Sequence, residues 1–256
     1  MRIAVAGGTG TVGRHVVAAA EARGHETVVL SRSTGVDLVA GTGLDAALDG
    51  VDAVVDVASV PTQSAKASTA FFRAVTTHLL AAGERAGVRR HVALSIVGSD
   101  RAPHGYYAGK AVQEDLVARG PVPWTLLRAT QFHEFAGQLL GQLSLGPLAL
   151  VPVMRSQPVA AREVAERLVV LAEEGVAGAA PGRARDLGGP EVLRMADAVR
   201  AYARATGRRG PVVEVPLPGA MGRAFRDGTL VAGPDADRGT QTFAQWLAGT
   251  GAPARR

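Results

Sequence analysis

The chain has 256 residues, 47% of them apolar, with no cysteine and a formal net charge of +5. The missing cysteines exclude disulfides, thiolate metal sites and thiol catalysis, and no cluster of other ligands has convincing metal spacing. The length suits one large domain, or one domain with a smaller lobe.

The positive charge is almost all arginine, scattered among acids as isolated pairs such as Arg89-Arg90 and Arg208-Arg209. No basic helix or basic–aromatic alternation occurs, so nucleic acid is not an expected partner. The opening "MRIAVAGGTG" is too short an apolar run for a signal peptide, and "LLGQLSLGPLALVPV" is too broken for a membrane span. The expectation is a soluble, cytoplasmic protein with no membrane partner.

In chain order, "RIAVAG" is an apolar, β-branched run that stops at glycines, as a buried strand does. "TVGRHVVAAAEARG" places Val12, Val16 and Ala19 or Ala20 at helical spacing and ends at Gly24. "ETVVLSR" and "VDAVVDVAS" are further strands, with a short helix at "GLDAALDG" between them. A long helix is expected across about 66–86, then the strand "RHVALSI", a helix from Tyr106 to Arg119, and the strand "PWTLLRA". Apolar strands alternating with helices predict an α/β fold, a doubly wound, mostly parallel sheet covered on both faces.

Beyond about residue 130 the alternation fades. Helices are expected at 161–174 and 191–206 and a strand at "PVVEVPL". The predicted organisation is a nucleotide-binding core over 1–130, a mixed substrate lobe over 131–250 that closes on it, and a flexible tail at 251–256.

The segment "AVAGGTGTVGRHV" joins the first strand to the first helix and parses as Gly8-x-Gly10-x-x-Gly13 or Gly7-x-x-Gly10-x-x-Gly13. Glycines there let the backbone approach a pyrophosphate, and the open helix N-terminus stabilises the anion. Thr9 and Thr11 add hydroxyls, and Val12 opens the helix. An NAD site usually carries an acid at the end of the second strand, to bond the ribose 2′-OH. Here Ser31 and Arg32 stand in that place, and a guanidinium suits a 2′-phosphate, so the expected cofactor is NADP(H). Ala58 and Ser59, at the end of "VVDVAS", are expected to border it.

The stretch "YYAGK" contains one of only two lysines and puts Tyr106 and Lys110 one helical turn apart. That spacing alone fits either an acid/base pair or two residues that merely share a helix face.

The series "GGTGTVG", "LSRS", "GVDAVVDVAS", "HVALSIVG", "YYAGKAVQEDL", "PWTLLRATQF" and "GGPEVL" resembles the NmrA-like, NAD(P)H-binding branch of the atypical short-chain dehydrogenases/reductases. The resemblance implies an extended Rossmann fold and reduction of a carbonyl, quinone or activated double bond with NADPH. It implies that Tyr106 exchanges the substrate proton while Lys110 touches the nicotinamide ribose and lowers the tyrosine pKa. The family serine before the tyrosine is matched one position off, by Ser95, with Ile96 in the usual place. Thr130 and Phe132 then fall where a loop meets the nicotinamide, and Gln131, Phe132, Phe135 and Met154 where a small-molecule substrate would sit. His133 reads as structural. The branch holds both reductases and proteins that sense cofactor redox state through a protein partner, and an isomerase or epimerase of the same fold is a third reading.

Overall fold

A computed structural model describes residues 1–249, so the tail expected at 251–256 lies outside the described residues. The alternation takes the form β1 (Arg2–Ala6), α1 (Gly13–Ala22), β2 (Glu26–Leu30), the single turn α2 (Leu44–Ala47), β3 (Ala53–Asp56), α3 (Ala65–Arg85), β4 (Arg90–Ile96), α4 (Tyr106–Arg119) and β5 (Trp124–Ala129). There follow α5 (Phe135–Gln142), β6 (Ser144–Leu145), β7 (Leu148–Pro152) and β8 (Arg155–Ser156), then the long α6 (Ala161–Val176) and β9 (Gly182–Arg183). The remainder is β10 (Leu187–Gly188), β11 (Leu193–Arg194), α7 (Met195–Ala205), β12 (Val212–Val215), α8 (Gly219–Asp227), β13 (Asp237–Arg238) and α9 (Phe243–Gly249). None of the described helices is long and apolar enough to cross a membrane.

Two compact units emerge, one of Met1–Arg128 with Ala161–Arg185, the other of Ala129–Ala160 with the residues from Asp186 on. The first unit holds a Rossmann-type α/β fold with strand order β2-β1-β3-β4-β5 and β9 beside β5. β1 runs parallel to β2 and β3, and β3 to β4. Ile3, Val5, Val54, Val55 and Val92 are fully buried, because helices cover both faces of the sheet. α1 packs with α6, while α3 packs with α4. Leu30, Val54, Val75 and Leu79 belong to one apolar cluster on the α3 side, joined there by Leu44 and Leu48 from the "GLDAALDG" turn.

The chain thus returns to the first unit after its expected boundary at residue 130. The reason is local: α6 carries an apolar stripe of Ala161, Val164, Ala165, Leu168, Val169 and Ala172, all buried. The C-terminal end of α6 is held by Arg90, at the start of β4. Its guanidinium, on a residue only 2% exposed, donates to Trp124 O at 3.0 Å, to Gly175 O at 2.9 Å and to Ala179 O. A Cβ on Gly175 would lie 2.2 Å from Arg90 Nε, so only glycine admits the side chain.

In the second unit, Leu187 of β10 pairs with Ala129 and β10 runs parallel to β13. β7 forms a small sheet between β6 and β12. The expected helix at 191–206 starts at Met195, because Leu193–Arg194 is drawn into an antiparallel pair with β8.

Gly175→Ala is expected to displace the buried guanidinium and destabilise the protein by roughly 2–4 kcal/mol, the range for breaking a buried charged network. Chemical denaturation of the two proteins at equal pH measures it.

Candidate functional site

The sheet of the first unit reverses its winding between β1 and β3, since β2 lies outside β1 and the chain then crosses to the other side. Ligands of open α/β sheets bind at such a crevice, beyond the carboxyl ends of the strands. Two segments meet there: the glycine loop after β1, and the residues after β3.

The glycine loop is built for close approach. Gly7 has φ +79°, and a Cβ on it would lie 2.9 Å from Ala58 Cα. A Cβ on Gly13 would lie 2.1 Å from Gly7 O, so the first turn of α1 presses directly on the loop. Thr9 and Gly10 are exposed, Val12 and Gly13 buried. Val12 caps α1 without a side-chain hydrogen bond, and among the described residues the N–H groups of Thr11, Val12 and Gly13 meet no backbone acceptor. An open helix N-terminus under a glycine loop fits a dinucleotide pyrophosphate. Gly7 N donates to Leu30 O at 3.3 Å, which sets the end of β2 beside the loop. There Ser31 turns into a one-turn 3-10 helix, bonded through its hydroxyl to Ser33 Oγ at 2.8 Å, and Arg32 is exposed.

After β3 the chain folds back as Asp56 Oδ1 accepts from Ala58 N at 3.0 Å. Ser59 follows, exposed, and its Oγ lies 2.9 Å from the Tyr106 hydroxyl. The backbone of Tyr106 is held as well, since Ser68 Oγ of α3 donates to its carbonyl at 2.8 Å. The Tyr106 ring meets Phe72 edge-on, with centroids 5.5 Å apart. Gly109, inside "YYAGK", makes this packing possible, because a Cβ there would lie 2.1 Å from Ser68 Oγ.

Lys110 points inward. Its Nζ donates to Leu94 O and to Gln113 Oε1, each at 2.8 Å, and sits 4.3 Å from the Phe72 ring centroid. Gln113 Nε2 in turn donates to Asp56 Oδ2 at 2.8 Å. Asp56 and Gln113 are fully buried and Lys110 nearly so. Burial pushes the ammonium pKa down to about 8, against the opposing pull of Asp56 and Glu114. His91 Nε2 lies 4.0 Å from Asp56 Oδ2, and burial lowers its pKa too.

The lowering of the Tyr106 pKa that the resemblance implies is not what this arrangement produces. Burial pushes the phenol up to about 12, with Ser59 opposing through its hydrogen bond and the charge of Asp56 adding to the rise. The Lys110 hydrogens face Leu94 O and Gln113 instead.

Ser95 stands in a different chain of hydrogen bonds. Its Oγ lies 3.5 Å from Ser99 Oγ, which donates to Glu114, and Glu114 pairs with the buried Arg128. Gly7, Thr9, Gly10, Thr11, Val12, Gly13, Ala58, Ser59, Tyr106 and Lys110 thus gather in the first unit, around the ends of β1 and β3. Thr130, Gln131, Phe132, Phe135 and Met154 belong to the second unit. There Thr130 N donates to Leu187 O, Gln131 Oε1 accepts from Ser156 Oγ at 2.9 Å, and Phe132 bridges to Val159. Phe135 is half-buried and Met154 is core, 2% exposed. His133 is fully buried among Phe243 and Trp246, in keeping with its structural reading.

Asp56, Gln113, Ser68 and Phe72 complete the network around Tyr106 and Lys110, and no sequence motif marks them. Asp56 did leave a signal, as the one charge inside the apolar run "AVVDVA". Gln113 is one turn beyond Lys110, yet nothing in the sequence turns it toward β3.

A glycine loop opening the first helix of a doubly wound parallel sheet defines a dinucleotide-binding protein. The NAD(P)H-binding family matches residues 7–174, and the chain belongs to it. A photosystem II assembly factor, Ycf39 of Synechocystis, is 28% identical over 174 residues, covering 62% of this chain. The chain spans about half the length of that curated relative, 51%. Among solved structures, a short-chain dehydrogenase/reductase superfamily protein of Agrobacterium tumefaciens with bound NAD aligns with a TM-score of 0.66 and 21% identity, over 97% of this chain and 95% of that one. An NADPH-dependent quinone oxidoreductase of Escherichia coli aligns with a TM-score of 0.64 and 15% identity, over 97% and 99%. At such identities these likenesses show the fold.

The Lys110 environment carries a pH signature. Its folded pKa lies below the unfolded one, so the unfolded state binds more protons between the two, and folding stability gains as pH rises through that window. Relative to Lys110→Met, the wild-type protein is expected to gain about 2 kcal/mol of unfolding free energy between about pH 7.5 and about pH 9.5. Urea titrations of both proteins across the window test it.

Proposed function

We propose that this protein is an NADPH-dependent reductase of a small or medium apolar ketone, quinone or enone. The observation that carries the reading is the Tyr106 hydroxyl, held 2.9 Å from Ser59 on the segment that touches the glycine loop. The quinone oxidoreductase among the structural neighbours is in keeping with the substrate class.

The residues of the glycine loop would hold the pyrophosphate, through the open N–H groups of Thr11, Val12 and Gly13. Arg32, exposed at the end of β2, would pair with a 2′-phosphate. Bound there, the reduced dinucleotide supplies a hydride. Tyr106 Oη holds the proton that a carbonyl oxygen needs as it gains negative charge. Like any tyrosine phenol it is protonated at neutral pH, as a donor must be. Burial, which pushes its pKa up to about 12, makes it a weaker acid than usual. Lys110, fixed by Leu94 O and Gln113, anchors α4 one helical turn beyond Tyr106 and so holds that hydroxyl in place.

The inward turn of Lys110 favours a second reading, a dinucleotide-binding protein that acts through a protein partner without turnover. The assembly-factor relative, matched over half its length, is consistent with that reading. Oxidation of NADPH in the presence of 1,4-benzoquinone, acetophenone and 2-cyclohexenone separates the two: tight binding with no turnover of any of them favours the partner reading.

For the reductase, Tyr106→Phe is expected to lower kcat by about 100- to 10,000-fold with little change in NADPH affinity. Stopped-flow kinetics and calorimetric binding check the two parts. Arg32→Ala is expected to weaken NADPH binding by about tenfold, the loss of roughly one charge-assisted pair, while NADH binding holds. An unchanged ratio of the two affinities would remove Arg32 from the site.

A further inference from the structure

We propose that Ser59, from the segment after β3, is the hydroxyl that orients Tyr106 and returns its proton. The inference rests on the reductase reading and assigns a residue that reading leaves open.

Ser59, Ser68, Ser95 and Lys110 all bring a hydroxyl or amine near the start of α4; Ser68 is spent on the Tyr106 carbonyl, and Ser95 and Lys110 are committed elsewhere. Ser95, 1% exposed, is bonded toward Ser99 and through it to Glu114. Lys110 uses two of its three hydrogens on Leu94 O and Gln113, beneath the Phe72 ring. Ser59 is different in both respects. Its Oγ is 2.9 Å from Tyr106 Oη, and the residue is exposed while Tyr106 is half-buried. It therefore has a tyrosine on one side and water on the other.

The segment that carries Ser59 is braced. Thr62 N donates to Val60 O at 3.0 Å, and Ser64 N to Thr62 Oγ1 at 3.1 Å. Ser64 then caps α3, with its Oγ accepting from Ala67 N at 3.3 Å. One turn on, Ser68 grips the Tyr106 carbonyl. Tyr106 is thus fixed at its hydroxyl, its ring and its backbone by one continuous stretch of chain, Ser59 to Phe72.

The chemistry balances as a proton shift. The Tyr106 Oη–H bond breaks as its proton goes to the carbonyl oxygen of the substrate. In the same movement Ser59 Oγ gives its proton to Tyr106 Oη and takes one from a water molecule. One solvent proton is consumed per carbonyl reduced, and the two electrons arrive with the hydride of the reduced dinucleotide. A hydroxyl can serve because it donates and accepts at once.

The test uses the full chain labelled with tyrosine carrying 13C at Cζ, whose three signals are assigned by Tyr106→Phe, Tyr107→Phe and Tyr202→Phe. Ser59→Ala is expected to shift the Tyr106 signal at neutral pH, with or without NADPH. With NADPH and 1,4-benzoquinone it is expected to lower kcat about tenfold while leaving KM within about twofold, the worth of one hydrogen bond made to the reacting group. Ser59→Thr, which keeps the hydroxyl, should restore both readouts. If Ser59→Ala moves neither the signal nor kcat while Tyr106→Phe abolishes turnover, the inference fails and the reductase reading stands. If Tyr106→Phe turns over normally, or no carbonyl probe is reduced although NADPH binds, the reductase reading falls and the relay with it.

Discussion

Everything around the start of α4 depends on how one buried ammonium is satisfied. Taking a lysine out of water costs several kcal/mol unless its hydrogens find acceptors. Lys110 finds them in the carbonyl of Leu94 and the amide oxygen of Gln113, whose other end meets Asp56. Only one orientation of the Gln113 amide works, oxygen toward the cation and nitrogen toward the carboxylate. The chain of contacts therefore ties the ends of β3 and β4 to one face of α4. That tie decides where Tyr106 stands.

Close approach is the second half of the design. Two glycines do the same work at different places. Gly7 lets the loop after β1 touch the segment after β3, and Gly109 lets α4 lie against Ser68 and Phe72 of α3. With any side chain at either position the backbones would part, and the hydroxyl pair of Ser59 and Tyr106 would open with them. The site is held by backbone contact as much as by hydrogen bonds.

The fold was legible in the sequence because its signals are local. Apolar strands such as "RIAVAG" and the helix from Tyr106 to Arg119 show their period directly, and the latter ends where it was expected to. The glycine loop was legible for the same reason. What the sequence did not disclose was pairing at a distance. Asp56 and Gln113 are separated by more than fifty positions, and nothing in either neighbourhood names the other. The inward turn of Lys110 follows from that pairing. Nor did the sequence disclose the burial that raises the Tyr106 pKa, which the family resemblance implied would fall. The return of α6 was hidden differently: its apolar stripe was visible, but the surface that receives it was not.

That return has a bearing on how the protein is made. The chain leaves the first unit at Arg128 and comes back at Ala161, so the second unit begins inside the first. During synthesis the strands of the Rossmann sheet emerge early, yet Arg90 waits for Gly175 and Ala179, some eighty-five residues later. Until α6 has left the ribosome, the Arg90 guanidinium has only the Trp124 carbonyl of the three it bonds in the folded protein. The dinucleotide-binding half, first in the chain, can be completed only after part of its neighbour has been built.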